Sequence, residues 1–183
     1  MEIHLSKKKI QLFSRHNKEI KRLYVSAFPK IERCPYSMLM RYSLKKEMDM
    51  WGYYEGKKFV GFSYMMILGD YAYLLYFATS EELRSKGYGT AIIKDLLETY
   101  KDKNMVLDIE PDDPEAANAK QRERRKNFYL RMGYFDTYYE MTDETGDYRI
   151  YSTKPESFDI DEFHKFFDLF PEEFDGTQIV YKG

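Results

Sequence analysis

The clearest candidate for chemistry is a short glycine-containing segment, Arg84–Thr90, with the sequence R-S-K-G-Y-G-T. It stands between a nearly continuous apolar run, Tyr71–Thr79, and an amphipathic helical pattern that follows it. Glycines permit a tight turn and let the backbone approach a ligand closely. Backbone N–H groups at a helix N-terminus bind phosphate oxygens, and the helix dipole adds to the attraction. The segment therefore predicts a phosphate-binding turn, with an ordinary strand–helix turn as the alternative.

Two common nucleotide-binding patterns are disfavoured. The P-loop requires G-x-x-x-x-G-K-[ST], and no such string occurs in the sequence. The dinucleotide-binding pattern requires a third glycine, and Ile92 occupies that position. If the turn binds a phosphate-containing ligand, it therefore uses a motif other than the P-loop or the dinucleotide-binding pattern.

The elements that must position this turn follow from periodicity and turn residues. We predict strands over Ile3–Leu5, Met50–Tyr54, Phe59–Leu68, Tyr71–Thr79, Met105–Ile109, Phe135–Met141 and Tyr148–Thr153. Helices are predicted from Ser14, as the N-cap, to Phe28, and over Tyr36–Lys46, Thr90–Tyr100 and Ala116–Met132. This order predicts an α/β architecture, a mixed sheet with helices on its faces.

The C-terminal segment, Lys154–Gly183, differs from the rest in composition. Apolar residues recur at helical spacing before Pro171, namely Ile160, Phe163, Phe166, Phe167 and Phe170. We predict a domain over residues 1–153 and a helical extension over 154–183. The extension packs on the domain, forms a homodimer contact or covers the substrate.

Composition excludes several classes of protein. The 183 residues carry 29 basic and 31 acidic side chains, so the chain is not built to coat nucleic acid or anionic membrane with its whole surface. Cys34 is the only cysteine, which excludes an internal disulfide and a cysteine-based zinc site, and three scattered histidines do not suggest a metal centre. No run has the length of a signal peptide or a membrane span, so a cytoplasmic protein is expected.

Two motifs give the sequence a family resemblance. R-S-K-G-Y-G resembles the [R/Q]-x-x-G-x-[G/A] pyrophosphate loop of the GNAT superfamily of acetyl-CoA-dependent N-acetyltransferases. Further along, N-F-Y-L-R-M-G-Y over Asn127–Tyr134 resembles the F-Y-x-x-x-G-[F/Y] motif of that family. The resemblance covers about residues 3–153. It implies a mixed, mostly antiparallel central sheet flanked by helices, to which the C-terminal helical extension is added.

The resemblance also implies a coenzyme site for acetyl-CoA, with no metal. The pantetheine arm would bond to the backbone of Tyr76, Phe77 and Ala78, and a strand amide near the last two would polarise the acetyl carbonyl. The pyrophosphate would bind the amides of Arg84, Ser85, Lys86, Gly87, Tyr88, Gly89 and Thr90. Asn127 would meet the coenzyme. The family often has an Asn where this chain has Arg122, which leaves that contact to pantetheine open.

Two residues are candidates for acid–base chemistry. Tyr129 matches the tyrosine of the second motif and would protonate the leaving thiolate; a ring that only packs is the alternative. Glu110, which follows a predicted strand, would remove a proton from the acceptor amine directly or through water, or attract a cationic acceptor. A solvated carboxylate at a strand end is the alternative. The basic segment 120–126 is interpreted mainly as a solvated helix face.

The leading hypothesis is transfer of an acetyl or other acyl group from acetyl-CoA to a primary amine by direct attack in a ternary complex. Cys34 lies in no nucleophile motif, so a covalent route has little support. The acceptor would contact the Phe28–Tyr42 connection, where Glu32 and Tyr36 lie, and Trp51 on a strand beyond it. Structural packing is the alternative role for Tyr36 and Trp51. Polyamine, aminoglycoside, peptide N-terminus and protein lysine all remain open. A non-catalytic acyl-CoA-binding or sensing module is the alternative, and a nucleic-acid binder is the weakest hypothesis.

Overall fold

The computed structural model describes residues 3–183, so the first two residues of the predicted domain 1–153 lie outside the described part. The strands are β1 Ser6–Lys9, β2 Met48–Glu55, β3 Lys58–Leu68, β4 Tyr71–Thr79, β5 Asn104–Ile109, β6 Phe135–Asp143, β7 Gly146–Ser152 and β8 Gln178–Tyr181. The α-helices are α1 Asn17–Ala27, α2 Tyr36–Tyr42, α3 Tyr88–Thr99, α4 Ala119–Arg131 and α5 Ile160–Leu169. Across the described residues, no helix has the length and apolar character needed to cross a membrane.

The eight strands form one sheet in the order β1-β2-β3-β4-β5-β7-β6-β8. β4 and β5 run parallel, whereas β1–β2, β2–β3, β5–β7, β6–β7 and β6–β8 pair antiparallel. The predicted class, a mixed and mostly antiparallel sheet flanked by helices, is confirmed. α3 provides the long crossover that a parallel pair such as β4 and β5 requires.

The chain divides into two compact units. The first extends to Leu68 and continues over Leu74–Lys101, and the second comprises Gly69–Tyr73 and Asp102–Gly183. The segment that follows residue 153 lies within the second unit. The predicted division into a domain and an extension at that residue stays a prediction.

In the first unit, helices cover both faces of β2. On one face, the Trp51 indole N–H donates to the Tyr100 hydroxyl at 3.0 Å, and the Tyr53 hydroxyl lies 3.3 Å from Asp95 of α3. On the other face, the ring of Tyr54 lies 4.8 Å from that of His16, just before α1. Alternate side chains of a strand point to opposite faces, so one strand can contact the helical layer on each face of the sheet. The buried stripes are Ile20, Leu23 and Tyr24 of α1 and Ile92, Ile93 and Leu96 of α3.

In the second unit, the predicted C-terminal helix is present and its aromatic stripe is buried. Tyr73 of β4 contacts Phe163, Phe166 and Phe174 at ring-centroid distances of 5.1, 5.7 and 6.1 Å. The Asp159 carboxylate caps the helix by accepting from the backbone N–H groups of the first turn. β8, which extends the sheet beyond β6, was not predicted.

Three boundaries predicted near the N-terminus are wrong. The first strand is Ser6–Lys9 instead of Ile3–Leu5, and its cations cover aromatic rings: the Lys7 ammonium lies 5.0 Å from the Trp51 ring. Lysine-rich sequence suits an edge strand, which is why apolar alternation did not find it. Ser14 does not cap α1, because its hydroxyl accepts from the His16 N–H in a turn that precedes the helix.

The third error concerns α2, which was predicted to reach Lys46 and ends at Tyr42. Short-range backbone bonds replace the helical pattern after that residue: Leu44 N–H donates to the Arg41 carbonyl, and Lys45 N–H donates to that of Tyr42. Such i to i+3 bonds tighten the end of a helix and turn the chain toward β2.

We expect Phe163→Ala to lower the free energy of unfolding by about 3–5 kcal/mol, because the ring is fully buried and the second unit would keep a cavity. Chemical denaturation followed by circular dichroism measures the change. Phe13→Ala is the matched control: its ring is 94% exposed, and its loss should change stability by less than about 0.5 kcal/mol. Equal effects of the two substitutions would contradict the packing described for α5.

Candidate active site

The predicted site residues divide between the two units, and each group is described in its own unit. The first unit holds the β4 residues Tyr76, Phe77 and Ala78 and the segment Arg84–Thr90. The second unit holds Glu110, Asn127 and Tyr129.

The segment Arg84–Thr90 forms an exposed turn that leads into α3. Ser85 and Gly87 have positive φ angles, of 60° and 89°. Gly87 is the N-cap residue of α3 and has no side chain with which to cap the helix. A residue with a Cβ is strained at such a φ, so glycine suits this position. The N-cap residue therefore leaves the amides of the first turn of α3 without a side-chain cap, an arrangement that can bind an anion.

Both ends of this turn are anchored while its middle faces solvent. Leu83 and Tyr88 are buried, and the Tyr88 hydroxyl donates to a Glu55 carboxylate oxygen at 2.6 Å. Arg84, Ser85 and Lys86 between them are exposed. Tyr88 can therefore offer a ligand its backbone only, whereas the side chains of Arg84 and Lys86 are available to an anion.

The end of β4 lies against β3 at very close range. The Ser80 N–H donates to the Val60 carbonyl at 2.8 Å, and a Cβ built on Gly61 would collide with the Ala78 carbonyl oxygen. Glycine at position 61 is thus a steric requirement of this part of the sheet.

The side chain of Tyr76 ties β4 to the α1–α2 connection. Its hydroxyl donates to the Glu32 carbonyl at 3.2 Å, and the rings of Tyr24 and Phe28 each lie 5.0 Å away. The Tyr36 ring lies 6.0 Å from that of Tyr24. Two of the three predicted acceptor-contacting residues, Glu32 and Tyr36, are therefore near this aromatic cluster.

Trp51, the third residue predicted to contact the acceptor, is engaged elsewhere in the first unit. Its indole N–H donates to Tyr100, and the ammonium groups of Lys7 and Lys9 lie 5.0 and 6.0 Å from its ring. These contacts agree with the packing role expected as the alternative for Trp51.

In the second unit, Tyr129 is a buried residue of α4. It is 8% exposed, and its ring lies between those of Phe128 and Tyr134 at 5.0 and 5.7 Å. Within residues 3–183, its hydroxyl has no hydrogen-bond partner. Burial raises the pKa of the Tyr129 hydroxyl above its usual range; the Arg125 charge lowers it and the Asp108 charge raises it. The phenol therefore stays protonated at neutral pH and can donate a proton.

Glu110 is held by a polar network at the start of α4. Its carboxylate oxygens lie 3.0 Å from the Arg122 guanidinium and 2.9 Å from that of Arg125. The Asn118 amide also donates to both oxygens, at 3.2 and 3.4 Å. Arg122 in turn donates to the Pro111 carbonyl at 3.2 Å. The network ties the turn after β5 to α4 and occupies both oxygens of the carboxylate.

The basic segment of α4 is less available than its composition suggests. Arg122 and Arg125 bind Glu110, and Lys126 forms an ion pair with Asp112. Lys120 and Arg124 are exposed and make no ion pair within the described residues. Asn127 is exposed one turn before the end of the helix.

One carboxylate with a distinctive environment was missed in the sequence. Asp108 lies inside β5, where its neighbours Leu107 and Ile109 are buried, and it accepts a short hydrogen bond from the Tyr73 hydroxyl. Burial raises the pKa of Asp108 to about 6, although the Tyr73 hydrogen bond lowers it. The signal in the sequence was a single acidic residue within the apolar run M-V-L-D-I. Within residues 3–183, no cluster of three or more His, Cys, Asp or Glu side chains could hold a metal ion.

Known proteins resemble this chain in sequence pattern and in fold. The sequence pattern of the acetyltransferase (GNAT) family matches residues 17–134, which is more than half of the chain. No curated protein is significantly similar in sequence. A putative acetyltransferase of the GNAT family from Bacteroides thetaiotaomicron has a similar structure, with a TM-score of 0.70 and 23% identity over 97% of this chain and 99% of that one.

Two further structures share the fold at lower identity. The ribosomal-protein-S18-alanine N-acetyltransferase from Escherichia coli has a TM-score of 0.61 and 14% identity over 81% of this chain and 92% of that one. The PaiA N-acetyltransferase from Thermoplasma acidophilum, in complex with coenzyme A, has a TM-score of 0.57 and 15% identity over 80% of this chain and 98% of that one.

A mixed sheet with the turn and helix described above, together with the family match, defines an acyl-CoA-dependent acyltransferase. The chain belongs to the GNAT family of acetyltransferases.

Proposed function

We propose that this protein transfers an acetyl group from acetyl-CoA to a primary amine by direct attack of the amine in a ternary complex. Family membership supports acyl transfer from acetyl-CoA in general. The observation that supports coenzyme binding is the exposed turn Arg84–Thr90 at the start of α3, where the N-cap residue Gly87 has no side chain.

In this proposal, the pyrophosphate binds the backbone amides of Arg84–Thr90, with added charge from the side chains of Arg84 and Lys86. The pantetheine arm bonds to the backbone of Tyr76–Ala78 like an added strand, and an amide near Phe77 or Ala78 polarises the acetyl carbonyl. Asn127 and Arg124, both exposed on α4, meet the coenzyme. The structural relative from Thermoplasma acidophilum was determined with coenzyme A, which fits this assignment of the ligand.

Tyr129 is proposed as the general acid. Attack of the amine on the thioester breaks the carbon–sulfur bond and expels a thiolate, which a phenol can protonate. The raised pKa of Tyr129 keeps its proton in place until a strong base such as a thiolate forms. Its lack of a hydrogen-bond partner among the described residues leaves the hydroxyl free for this role.

The catalytic role of Glu110 stays a prediction, and its contacts favour a different use. Two guanidinium groups and an amide already bind its oxygens. Attraction of a cationic acceptor is also weakened where two arginines stand beside the carboxylate. We infer that Glu110 mainly holds α4 to the turn after β5.

The acceptor is a primary amine that contacts the α1–α2 connection. The Escherichia coli relative acts, by its name, on the alanine of a ribosomal protein, which is compatible with a peptide amine. Glu32 lies in this connection, and its negative charge suits a cationic acceptor.

We expect acetyl-CoA to raise the melting temperature of the wild-type protein and to have little effect on Gly89→Asp. A ligand that binds only the folded state stabilises it by mass action. The substitution places a carboxylate in the first turn of α3, where a helix tolerates an acidic residue but a phosphate is repelled. Thermal denaturation with and without the coenzyme measures both effects.

Gly89→Ala is the matched control, because the family pattern allows alanine at this position and no charge is added. It should keep most of the coenzyme-induced gain. Undiminished coenzyme affinity in a folded Gly89→Asp protein would exclude the turn as the pyrophosphate site.

We expect Tyr129→Phe to lower kcat by about 10²–10⁴-fold while the affinity for acetyl-CoA stays near that of the wild type. The substitution keeps the ring and its packing against Phe128 and Tyr134, so only the hydroxyl is tested. Thiol release with an active amine measures kcat, and calorimetry measures coenzyme affinity. A loss below about threefold would mean that Tyr129 only packs.

A further inference from the structure

The strand β8 has one edge that pairs with β6 and one edge that is open. Among residues 3–183, no strand follows β8 in the order of the sheet. Val180 is 46% exposed and Tyr181 is 57% exposed, and Tyr138 of the neighbouring β6 is exposed as well. An open edge offers unpaired backbone groups to another strand, and exposed apolar side chains beside it add a contact surface.

The register with β6 indicates which backbone groups of β8 point to the open edge. The Lys182 N–H donates to the carbonyl of Tyr138, which lies opposite it when the β6–β8 register is continued by one residue. Antiparallel pairs alternate between bonded and non-bonded residues, so Val180 also bonds to β6. The N–H and C=O groups of Ile179 and Tyr181 therefore point away from β6, to the open edge.

The strands at the two ends of the sheet differ in how they resist pairing. β1 consists of one serine and three lysines, and charged side chains on an edge strand discourage the addition of a further strand. β8 has the sequence Q-I-V-Y, with no charge, no proline and three residues of high β-propensity. Identical segments of this kind pair readily with one another. The open edge of β8 therefore suits a second copy of the same strand.

Antiparallel pairing of two β8 strands about Val180 is self-complementary. Ile179 of one copy then lies opposite Tyr181 of the other, and the two residues can exchange both of their backbone hydrogen bonds. A β-branched residue opposite an aromatic residue is also a favourable cross-strand pair. The two Val180 side chains meet at the centre, and Lys182 faces the uncharged Gln178. Parallel pairing in register would instead place Lys182 beside Lys182.

We propose that this protein forms a symmetric homodimer in which β8 of one copy pairs antiparallel with β8 of the other, with Val180 on the two-fold axis. The contact occupies the open β8 edge of both copies, so the assembly closes as a dimer. The segment after residue 153 thus takes one of the roles expected from its sequence, a homodimer contact, through a strand that was not predicted. The contact does not depend on acyl transfer, because β8 holds none of the proposed site residues.

Sedimentation analysis over a range of about 1 µM to 1 mM tests the dimer. The wild-type protein should change from monomer to dimer within this range, because a short pair of strands forms a small interface. Val180→Lys should remain monomeric, since it places two like charges directly opposite each other. Val180→Thr is the matched control: it keeps a β-branched residue and should dimerise with an affinity within about threefold of the wild type.

Ile179→Pro tests the backbone hydrogen bonds separately. The Ile179 N–H points to the open edge, so proline removes a bond to the second copy and leaves the bonds to β6 in place. Each copy loses one such bond, and the dissociation constant of the dimer should rise by about tenfold or more. Ile179→Val keeps the N–H and should dimerise like the wild type. The melting temperature of each variant, measured as a dilute monomer, shows whether it is folded.

A cysteine on the two-fold axis tests the register. In a Cys34→Ser background, which removes the only native cysteine, Val180→Cys should form a disulfide-linked dimer when it is oxidised with diamide. Opposite residues of a non-hydrogen-bonded pair lie about 4.5 Å apart between Cα atoms, within the range of a disulfide. Gln178→Cys is the control, because the two substituted residues would be about 14 Å apart along the strands, which is too far.

Four results would overturn the proposal. A wild-type protein that stays monomeric up to the highest concentration excludes the dimer, and the edge would then be left to a strand of another protein. A dimer that survives both Val180→Lys and Ile179→Pro uses a different surface. Cross-linking of Gln178→Cys as efficient as that of Val180→Cys excludes pairing about Val180. Assemblies larger than a dimer contradict the closed symmetric contact.

Discussion

The left-handed backbone at Gly87 is the constraint on which the proposed coenzyme-binding turn depends. This residue turns the chain out of the exposed segment and into α3 without a side chain to cap the helix. The buried residues on either side, Leu83 and Tyr88, fix the turn while its amides and cations face solvent. A capping side chain in this place would satisfy the amides that an anion needs. Gly87 thus leaves the backbone amides of this turn available to an anion. The turn follows β4 because α3 forms the crossover from β4 to β5.

Environment distinguishes the carboxylates of the second unit better than their position in the chain does. Glu110 and Asp108 are two residues apart, yet the first is held by two arginines and the second by a tyrosine hydroxyl. Burial opposes the ionised form of Asp108 and raises its pKa to about 6. Two carboxylates close together on one strand therefore have different surroundings. Tyr129 is buried and has no hydrogen bond among the described residues, and burial raises its pKa, so it keeps its proton at neutral pH.

Much of the fold could be predicted because its elements have strong local patterns. The bounds predicted for β4 are those observed, and the aromatic stripe of α5 was recognised by its helical spacing. β1 was misplaced because its lysine-rich sequence does not alternate between apolar and polar residues. β8 was missed because this short edge strand has no buried residues and so no apolar pattern. The site was predictable where backbone motifs define it, as at Arg84–Thr90. The partners of Glu110 and Asp108 come from residues up to 35 positions away, and spacing along the chain does not reveal such contacts.

The most direct test of acetyl transfer is to incubate the protein with acetyl-CoA and a panel of amines, and to measure thiol release and the mass of each amine. The panel should include a polyamine, an aminoglycoside, a peptide with a free N-terminus and a lysine-containing peptide blocked at its N-terminus. The proposed function predicts thiol release that depends on the amine. It also predicts an equal amount of a product 42 Da heavier than the amine, as expected when an acetyl group replaces a hydrogen. Tight coenzyme binding without turnover of any amine would contradict it and identify a non-catalytic acyl-CoA-binding module.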